Sequence, residues 1–507
     1  MADGHGPHSP FIHILDDYSL LNIFSFSRPV ILDESEVNQE QLLEGGEWNR
    51  ELWWYRLVQV CRRWRYIVFE SASHLRLSLV CARGTPVADM LAHSPPLPLI
   101  IDHLDPNHDI TTEDEDGIIF ALQHRDRVRR IRLRKSVPIL QKLVNALDGE
   151  FPILDYLYAM PQRYQRPTLD HNMRLNLTLP ETFRAPHLRY LLLMRFAIPI
   201  ESPLLATMMN LVTLSLNLIP PSAYFHPSAL LQRVSLMPQL GSLGIFFNSH
   251  FPSRDIERQL LRTPITTRVT LSNLRRLGFQ GASAYLEALL SQVTIPLIEK
   301  LQIYFFNQLT YSIPRLQQVV STAENLRLKT ATLSFCEDYM AATAYPHEEA
   351  KLFALSVDLG GRHLDWQVAS AAQAFQTLRT VSSAVEHLSL EYDRHTISSE
   401  WNNEADRTQW RELLGSFGNV KTIYVYSELV GQLSQALQPG EGESSAELLP
   451  ELHELHELHN PDELHDPDKL HDPDEPSYSA IDASHNAFTS FIDARQKAGI
   501  PVTLIHS

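Results

Sequence analysis

The chain has 507 residues, of which 44% are hydrophobic and 20% charged, a composition typical of globular rather than disordered proteins. Its three cysteines, Cys61, Cys81 and Cys336, are too few for a disulfide framework and exclude a cysteine-based RING or zinc-ribbon module. Of the net charge of −17, residues 440–476 carry −12, and the nearly neutral remainder argues against a nucleic-acid partner, which calls for a concentrated basic face.

The N-terminus gives no sign of export. Residues 1–10 are polar, without the basic flank and apolar run of a secretory signal, and we expect them to be disordered. No apolar stretch approaches the roughly 20 residues that cross a bilayer, so no membrane partner is expected. With so few cysteines, the sequence favours an intracellular protein, cytoplasmic or nuclear.

Residues 11–74 predict a small helical domain. The first helix, over 11–26, places Leu15, Leu20, Ile23 and Phe24 at helical spacing. Residues 28–50 are polar and acidic, which is typical of an insert. Apolar side chains then recur at i, i+4, i+7 and i+8 within 50–69, which predicts a second helix with the stripe Trp53, Leu57, Val60, Cys61, Trp64 and Val68.

Residues 75–439 alternate between strand-like and helix-like segments. They begin with a strand at 75–81, a short helix at 86–93, a strand at 97–102 and a helix over 111–124. A core of type apolar-x-x-apolar-x-apolar then recurs ten times. Its copies are Val128/Ile131/Leu133, Leu188/Leu191/Leu193, Leu211/Leu214/Leu216, Leu240/Leu243/Ile245, Leu274/Leu277/Phe279, Ile298/Leu301/Ile303, Thr330/Leu333/Phe335, Leu352/Leu355/Val357, Val385/Leu388/Leu390 and Val420/Ile423/Val425.

This core is that of a leucine-rich repeat, in which each unit of about 20–29 residues is a strand plus a helix. Such units bury their apolar faces only against the next unit, so the pattern predicts an α/β fold with a repeat solenoid over 75–439. The consensus Asn or Cys, which follows the last apolar residue of the core after two intervening residues, is present only at Asn248, so the repeats are irregular. The alternative is an ordinary α/β sheet whose strands share the same pattern.

The C-terminal region contains a low-complexity insert. Residues 440–476 repeat Glu-Leu-His and Asp-Pro, and their sparse apolar content predicts a disordered acidic, His-rich loop. Residues 477–507 regain a helical stripe and a strand-like Val-Thr-Leu-Ile, so we expect a last helix and strand packed on the solenoid.

The N-terminal helices resemble an F-box. The residues that carry the resemblance are Leu15 to Phe24, a Leu-rich helix ending in Ile-Phe, and Leu57 to Ile67, which match LxxVCRxWRxI. The sequence departs from the family in two places: Leu15-Asp16 replaces the usual Leu-Pro, and the loop between the halves is long and acidic. The resemblance covers about 60 residues, and the repeats that follow are similar to those of fungal F-box proteins with irregular leucine-rich repeats.

The resemblance implies a substrate-recognition subunit of a Skp–cullin–F-box ubiquitin ligase. The F-box would bind a Skp-type adaptor and through it a cullin–RING ligase, while the repeats would bind an unknown target protein. The implied adaptor-binding residues are Leu15, Leu20, Leu21, Ile23, Phe24, Leu57, Val60, Cys61, Trp64 and Ile67. The alternative from the residues alone is a leucine-rich interaction scaffold without a link to ubiquitin, whose N-terminal helices only cap the array.

No segment carries an enzyme signature, so we expect a non-catalytic protein without a cofactor. GxxxxGK[ST], GxGxxG and GxSxG are all missing, which leaves a hydrolase on an α/β sheet unsupported. The HELH runs differ from the HExxH of zinc proteases because their histidines lie three apart, so no metal site is expected at His453, His456, His459, His465 and His471. The cysteines are interpreted as small buried hydrophobic side chains.

Overall fold

The computed structural model describes residues 15–29, 52–105, 110–162, 176–248, 268–306, 308, 311–323, 326, 328–336, 339–347, 354–361, 363–392, 407–438, 447–458 and 487–506. They form two compact units. Unit 1 comprises Met1–Ala223 with Leu236–Leu240, and unit 2 comprises Tyr224–Ser235 with Gly241–Ser507. The predicted N-terminal segment 1–10 and all but two residues of the predicted insert 28–50 lie outside the described residues.

Unit 1 begins with short helices and continues as alternating strands and helices. Its α-helices are α1 (Asp17–Phe26), α2 (Tyr55–Val58), α3 (Arg62–Glu70), α4 (Ala72–Leu75), α5 (Val87–His93), α6 (Thr112–Gln123), α7 (Val137–Asn145) and α8 (Pro203–Thr207). Its strands are β1 (Leu79–Cys81), β2 (Leu99–His103), β3 (Val128–Lys135), β4 (Tyr156–Pro161), β5 (Tyr190–Met194) and β6 (Thr213–Ile219).

Local capping explains where the clearest predicted helix begins. Thr111 and Asp114 form a capping box at the start of α6, in which each side chain accepts a hydrogen bond from the other residue's backbone N–H. Asp114 also accepts a hydrogen bond from the backbone N–H of Gly84 at 2.7 Å. The acidic first turn of the predicted helix 111–124 thus both caps the helix and ties it to the preceding loop.

The six strands of unit 1 pair in sequence order, and every pair is parallel. The apolar core positions lie in register from strand to strand: Ile131 lies beside Leu157, Leu157 beside Leu191, and Leu191 beside Leu214. All four side chains are buried, so each strand completes the core of its neighbour.

Unit 2 continues the same pattern over more strands. Its α-helices are α9 (Pro227–Val234), α10 (Ser283–Leu290), α11 (Pro314–Thr322), α12 (Leu364–Thr377), α13 (Arg379–Ser382), α14 (Arg407–Leu414), α15 (Ser427–Leu437) and α16 (Thr489–Lys497). Its strands are β7 (Ser242–Phe247), β8 (Val269–Thr270), β9 (Arg276–Gly281), β10 (Val293–Thr294), β11 (Lys300–Phe305), β12 (Thr330–Phe335), β13 (Tyr339–Tyr345), β14 (Leu355–Gly360), β15 (His387–Tyr392), β16 (Thr422–Tyr426), β17 (Glu454–Leu458) and β18 (Thr503–His506).

The strand order of unit 2 departs from the sequence order at one place. The main sheet runs β7-β9-β11-β14-β13-β12-β15-β16-β17-β18, and β8 pairs with β10 separately. Strand β13 is antiparallel to both β12 and β14, whereas every other pair described in this unit is parallel. The chain therefore crosses from β11 to β12, and only then returns through β13 to place β14 beside β11.

The predicted fold class, α/β with a strand plus helix per repeat, is confirmed. Each of the ten apolar cores lies at or within a strand, although Leu352 itself lies outside the described residues. Two strands carry cores that are not among the ten predicted copies. In β4 the core is Leu154/Leu157/Ala159, and in β17 it is Leu452/Leu455/Glu457.

The prediction of a disordered loop over 440–476 is wrong for the part that forms β17. Leu455 and Glu457 are fully buried, and β17 pairs in parallel with β16 on one side and β18 on the other. The repeated Glu-Leu-His reads as low complexity, but its period places leucines where a strand core needs them. Residues 440–446 and 459–476 lie outside the described residues.

Candidate functional site

The helical module, residues 15–29 and 52–75, contains the ten residues that the F-box resemblance implies for adaptor binding. The structure divides them into three groups. Leu20, Phe24 and Ile67 are buried inside the module, so they can support a docking surface but not form one. Leu15, Leu21, Leu57, Cys61 and Trp64 are partly exposed. Ile23 and Val60 are exposed, at 45% and 59%.

Contacts between α1 and α3 hold the module together. The rings of Phe24 and Trp64 lie 4.8 Å apart between centroids. The guanidinium of Arg63 donates two hydrogen bonds to the carboxylate of Asp17, at 2.9 and 2.7 Å, and one to the carbonyl of Leu15 at 2.6 Å. Sequences far apart in the chain are thus joined into one helical unit by a ring contact and a forked ion pair.

The stripe predicted over 50–69 is not one helix. It forms α2 and α3, and the connection between them is fixed at two points. The Cys61 Sγ accepts a hydrogen bond from the backbone N–H of Trp64 at 3.5 Å, so this cysteine caps α3. The Arg65 side chain donates to the carbonyl of Val58 at 3.0 Å. The Val-Cys-Arg-Arg-Trp string therefore encodes a turn between helices rather than a continuous helix.

Trp54 fixes the module to the first strand of unit 1, a role that the sequence pattern assigned to no residue. Its side chain is buried, and its indole N–H donates to the carbonyl of Ser78 at 3.2 Å, one residue before β1. The ring also lies 5.9 Å from that of Phe69 in an edge-on contact. The stripe predicted for one helix over 50–69 contains Trp53, and Trp54 falls outside it.

The module also presents aromatic side chains that the sequence pattern did not predict. Tyr18, Phe26, Tyr55 and Tyr66 are 74%, 90%, 55% and 64% exposed. Tyr18 and Phe26 are eight residues apart in α1, about two helical turns, so they lie on the same side of that helix. An apolar stripe predicts the residues that face the core, and these side chains lie away from it. Exposed aromatic side chains at this density are typical of interaction surfaces.

Three of the side chains considered for chemistry pack against the rest of the chain: Cys81, Cys336 and His456. Burial raises the pKa of Cys81 to about 12, so its thiol stays protonated at neutral pH, and Cys336 is also buried. Among the described ranges, no group of three or more His, Cys, Asp and Glu side chains could hold a metal ion. His456 stacks on Tyr424 with ring centroids 4.6 Å apart, whereas His459, His465 and His471 lie outside the described residues.

Comparisons with known proteins add little to this description. No family model and no curated protein matches the chain. Two similar solved structures are the TLR13–ssRNA13 complex, at 14% identity and a TM-score of 0.29, and the leucine-rich-repeat-containing protein LegL7 from Legionella pneumophila, at 11% and 0.27. The match covers 75% of this chain and 46% of the TLR13 chain, which is less than half of that protein, and 82% of this chain and 98% of LegL7. Both TM-scores lie below 0.5, so the fold described above rests on the strands and helices of this chain alone.

In the part of the chain that the structure describes, no helix is both long and apolar enough to span a membrane.

Proposed function

We propose that the protein is a non-catalytic substrate-recognition subunit of a Skp–cullin–F-box type ubiquitin ligase, with the helical module as its F-box. The observation that carries the proposal is the two-sided character of this module. Trp54 attaches one side to β1, while Ile23, Val60 and four aromatic side chains remain exposed. A module that served only as a cap would have no use for these exposed apolar side chains.

The adaptor-binding surface is built on a buried support. Ile23 lies next to the buried Phe24 in α1, and Val60 precedes the Cys61 cap of α3. Burial of such apolar side chains at an interface contributes roughly 1.5–3 kcal/mol each before the costs of association. The adaptor would therefore read the exposed residues, and the ring contact between Phe24 and Trp64 would hold them in place.

The strand–helix repeats would bind the target protein, and the cullin–RING ligase would supply the catalytic step. The contribution of this chain is then proximity between the target and a ubiquitin-conjugating enzyme. This function requires no cofactor and places the protein inside the cell, where the ligase acts.

A leucine-rich scaffold without a link to ubiquitin is the second candidate. The observation that favours it is the hydrogen bond between Trp54 and Ser78, since a terminal cap must attach to the first strand of its array. The two candidates differ in what covers the exposed apolar side chains of the helical module. An F-box would bury them against the adaptor, whereas a cap has no defined partner for them.

The experiment that separates the candidates is co-purification of a Skp-type adaptor with the full chain. We expect Ile23→Asp with Val60→Asp to reduce adaptor recovery at least tenfold, because both place a charge on the docking surface. Met209→Asp is the matched control, since Met209 is 59% exposed, as Val60 is, and lies outside the helical module. Loss of adaptor in the double variant alone supports the F-box. Equal recovery of adaptor with all three proteins, or none with the wild type, rules it out.

A further inference from the structure

The strand excursion of unit 2 aligns two carboxylates on the sheet face opposite the apolar core. Tyr304 on β11 lies beside Asp358 on β14, Asp358 beside Ala341 on β13, Ala341 beside Ser334 on β12, and Ser334 beside Glu391 on β15. These five residues are called the carboxylate row. Since side chains alternate along a strand, the row lies on the opposite face from the buried Val357 and Leu333.

Neighbouring hydroxyl groups fix both carboxylates. Ser356 donates to the Asp358 Oδ1 at 3.1 Å. Ser334 and Ser389 donate to the two carboxylate oxygens of Glu391, at 2.9 and 3.4 Å. Among the residues that the structure describes, no Lys, Arg or His forms an ion pair with either carboxylate.

The two acids are separated by small side chains and bordered by tyrosines. Ala341 and Ser334 occupy the two strands between them, so the acids lie three strand spacings apart, about 14 Å at ~4.8 Å per strand. Asp358 is buried, and Glu391 is half-buried. Tyr304 lies beside Asp358 in the ladder between β11 and β14. Burial together with the nearby Glu391 carboxylate raises the pKa of Tyr426, so this tyrosine lies close to the second acid. Each end of the row therefore offers a carboxylate next to an aromatic ring, the two groups that hold a cationic side chain.

The adjacent row provides a polar surface for a peptide chain. It consists of Gln302, Ser356, Thr343, Thr332 and Ser389, one ladder step from the carboxylate row on the same face. All five residues carry hydrogen-bonding side chains, and none carries a charge. Such a surface can satisfy the polar groups of an extended chain that lies across the strands.

We propose that the carboxylate row binds an extended segment of the target protein with two Lys or Arg side chains at positions i and i+4. An extended chain rises about 3.3 Å per residue, so four residues span about 13 Å, close to the separation of the two acids. Residues i and i+4 also point to the same side of an extended chain. The proposal rests on the proposed function only in taking the ligand to be a protein.

The test uses the full chain and a defined probe. The probe is a fluorescent, acetylated nine-residue peptide of Gly, Ser and Thr with two lysines four positions apart. The comparison peptides carry the lysines two positions apart or replace both by serine. We expect the i, i+4 peptide to bind at least fivefold more tightly than either comparison peptide, as measured by fluorescence anisotropy in 0.1 M salt at pH 8. Burial raises the pKa of Asp358 to about 7, so this pH keeps its carboxylate charged while the lysines stay protonated.

Variants of the row then locate the binding. Asp358→Asn and Glu391→Gln keep the hydrogen-bond acceptors and remove the charge, and each is expected to weaken the peptide at least threefold. Glu412→Gln, on the exposed side of α14, is the charge-matched control. Thermal melts of all three variants establish that they are folded. The proposal is overturned if the peptides do not differ, or if Glu412→Gln weakens binding as much as the row variants, since the net negative charge would then explain the attraction.

Peptide binding by the carboxylate row and adaptor binding by the helical module are expected to be independent of each other. The row variants are expected to leave adaptor co-purification unchanged, and the Ile23→Asp/Val60→Asp protein is expected to bind the peptide normally. Failure of the peptide experiment with intact adaptor binding would reject the carboxylate row alone. Peptide binding without adaptor binding would reject the F-box and keep the row.

Discussion

The guanidinium of Arg495 donates a hydrogen bond to the backbone carbonyl of Leu452 at 3.0 Å, and no part of this arginine side chain reaches solvent. The same group also donates to the carbonyls of Leu449 and Pro450. Arg495 lies on α16, and the three carbonyls precede β17. One buried cation thus fastens the last helix to the turn that leads into the strand beside β16.

Replacement of Arg495 tests this fastening. Arg495→Met keeps the length of the side chain but removes the donor shared by three carbonyls, of which that of Leu449 still accepts a hydrogen bond from the backbone N–H of Leu452. We therefore expect a loss of about 2–4 kcal/mol in the free energy of unfolding. Lys497→Met, in the same helix and exposed, is the control and is expected to change stability by less than about 0.5 kcal/mol. Urea denaturation of both variants measures the difference. Equal midpoints would mean that the hydrogen bonds of Arg495 do not stabilise the attachment of α16.

The second prediction concerns the contribution of β17 to stability. Leu455 is fully buried beside Ile423 of β16, so Leu455→Ala is expected to cost about 2–5 kcal/mol. Glu454→Ala, its exposed neighbour, is expected to have little effect. A thermal melt of the two variants decides between a core strand and a solvated loop. A loop would make the two substitutions equally harmless.

The third prediction concerns the pH dependence of stability. Burial raises the pKa of Asp358 from 3.8 to about 7, partly opposed by the hydrogen bond from Ser356. The folded state therefore holds this proton more tightly than the unfolded chain, and stability is lost as pH rises from about 4 to about 7. Asp358→Asn removes this loss, so we expect it to raise the free energy of unfolding at pH 8 by at most about 4 kcal/mol, with a smaller gain at pH 5.

Only one neighbour of Asp358 is a group whose own ionisation could contribute to this pH dependence. The facing residues are Tyr304 on β11 and Ala341 on β13, with Ser356 on its own strand, and of these only Tyr304 titrates. Burial raises the pKa of Tyr304 above its ordinary value of 10, and the Asp358 charge adds to this, so it stays neutral between pH 5 and 8. Chemical denaturation at both pH values, with Glu412→Gln as the exposed control, measures the effect. A gain that does not depend on pH would show that Asp358 is ionised throughout this range.

A fourth prediction separates the two ways in which the helical module contributes. Trp54→Phe keeps an aromatic ring but removes the hydrogen bond to Ser78, so we expect a loss of about 0.5–1.5 kcal/mol. Trp54→Ala also leaves a cavity, and its expected cost is about 3–5 kcal/mol. Trp53→Ala is the matched control, because Trp53 precedes Trp54 directly and its own side chain is only partly buried. Circular dichroism melts give the order, and a larger loss at Trp53 would contradict the anchor assigned to Trp54.

The sequence predicted most of the strands because the repeat core is a local pattern. Each copy brings its own buried face, and its neighbours in register bury it further, as Ile131 and Leu157 do. The order of the strands was not predictable in this way, since pairing of β14 with β11 depends on which partners are available and not on the core pattern. Glu457 illustrates a second limit. This buried glutamate occupies a core position of β17 that is apolar in the other repeats, so the apolar pattern does not predict the strand.

The candidate site was predicted less well than the fold. The F-box resemblance identified Ile23 and Val60, which are exposed, together with Leu20 and Phe24, which are buried. A motif records which residues recur and not which way each one points. The carboxylate row had no signal at all in the sequence, because its members come from five strands that the excursion brings side by side.

The excursion of β12, β13 and β14 also bears on how unit 2 acquires its structure. In a regular repeat array each unit docks on the one just made, and folding can start anywhere and spread along the chain. Here Leu301 must find Leu355, 54 positions away, and Thr330 must find His387, 57 positions away, before the intervening strands have two neighbours each. Each of these pairings closes a long loop, and the conformational entropy of closing it is lost before the strands gain their packing contacts. This order of events slows folding. We therefore expect the five strands from β11 to β15 to form together, as one cooperative block within an array that could otherwise grow one repeat at a time.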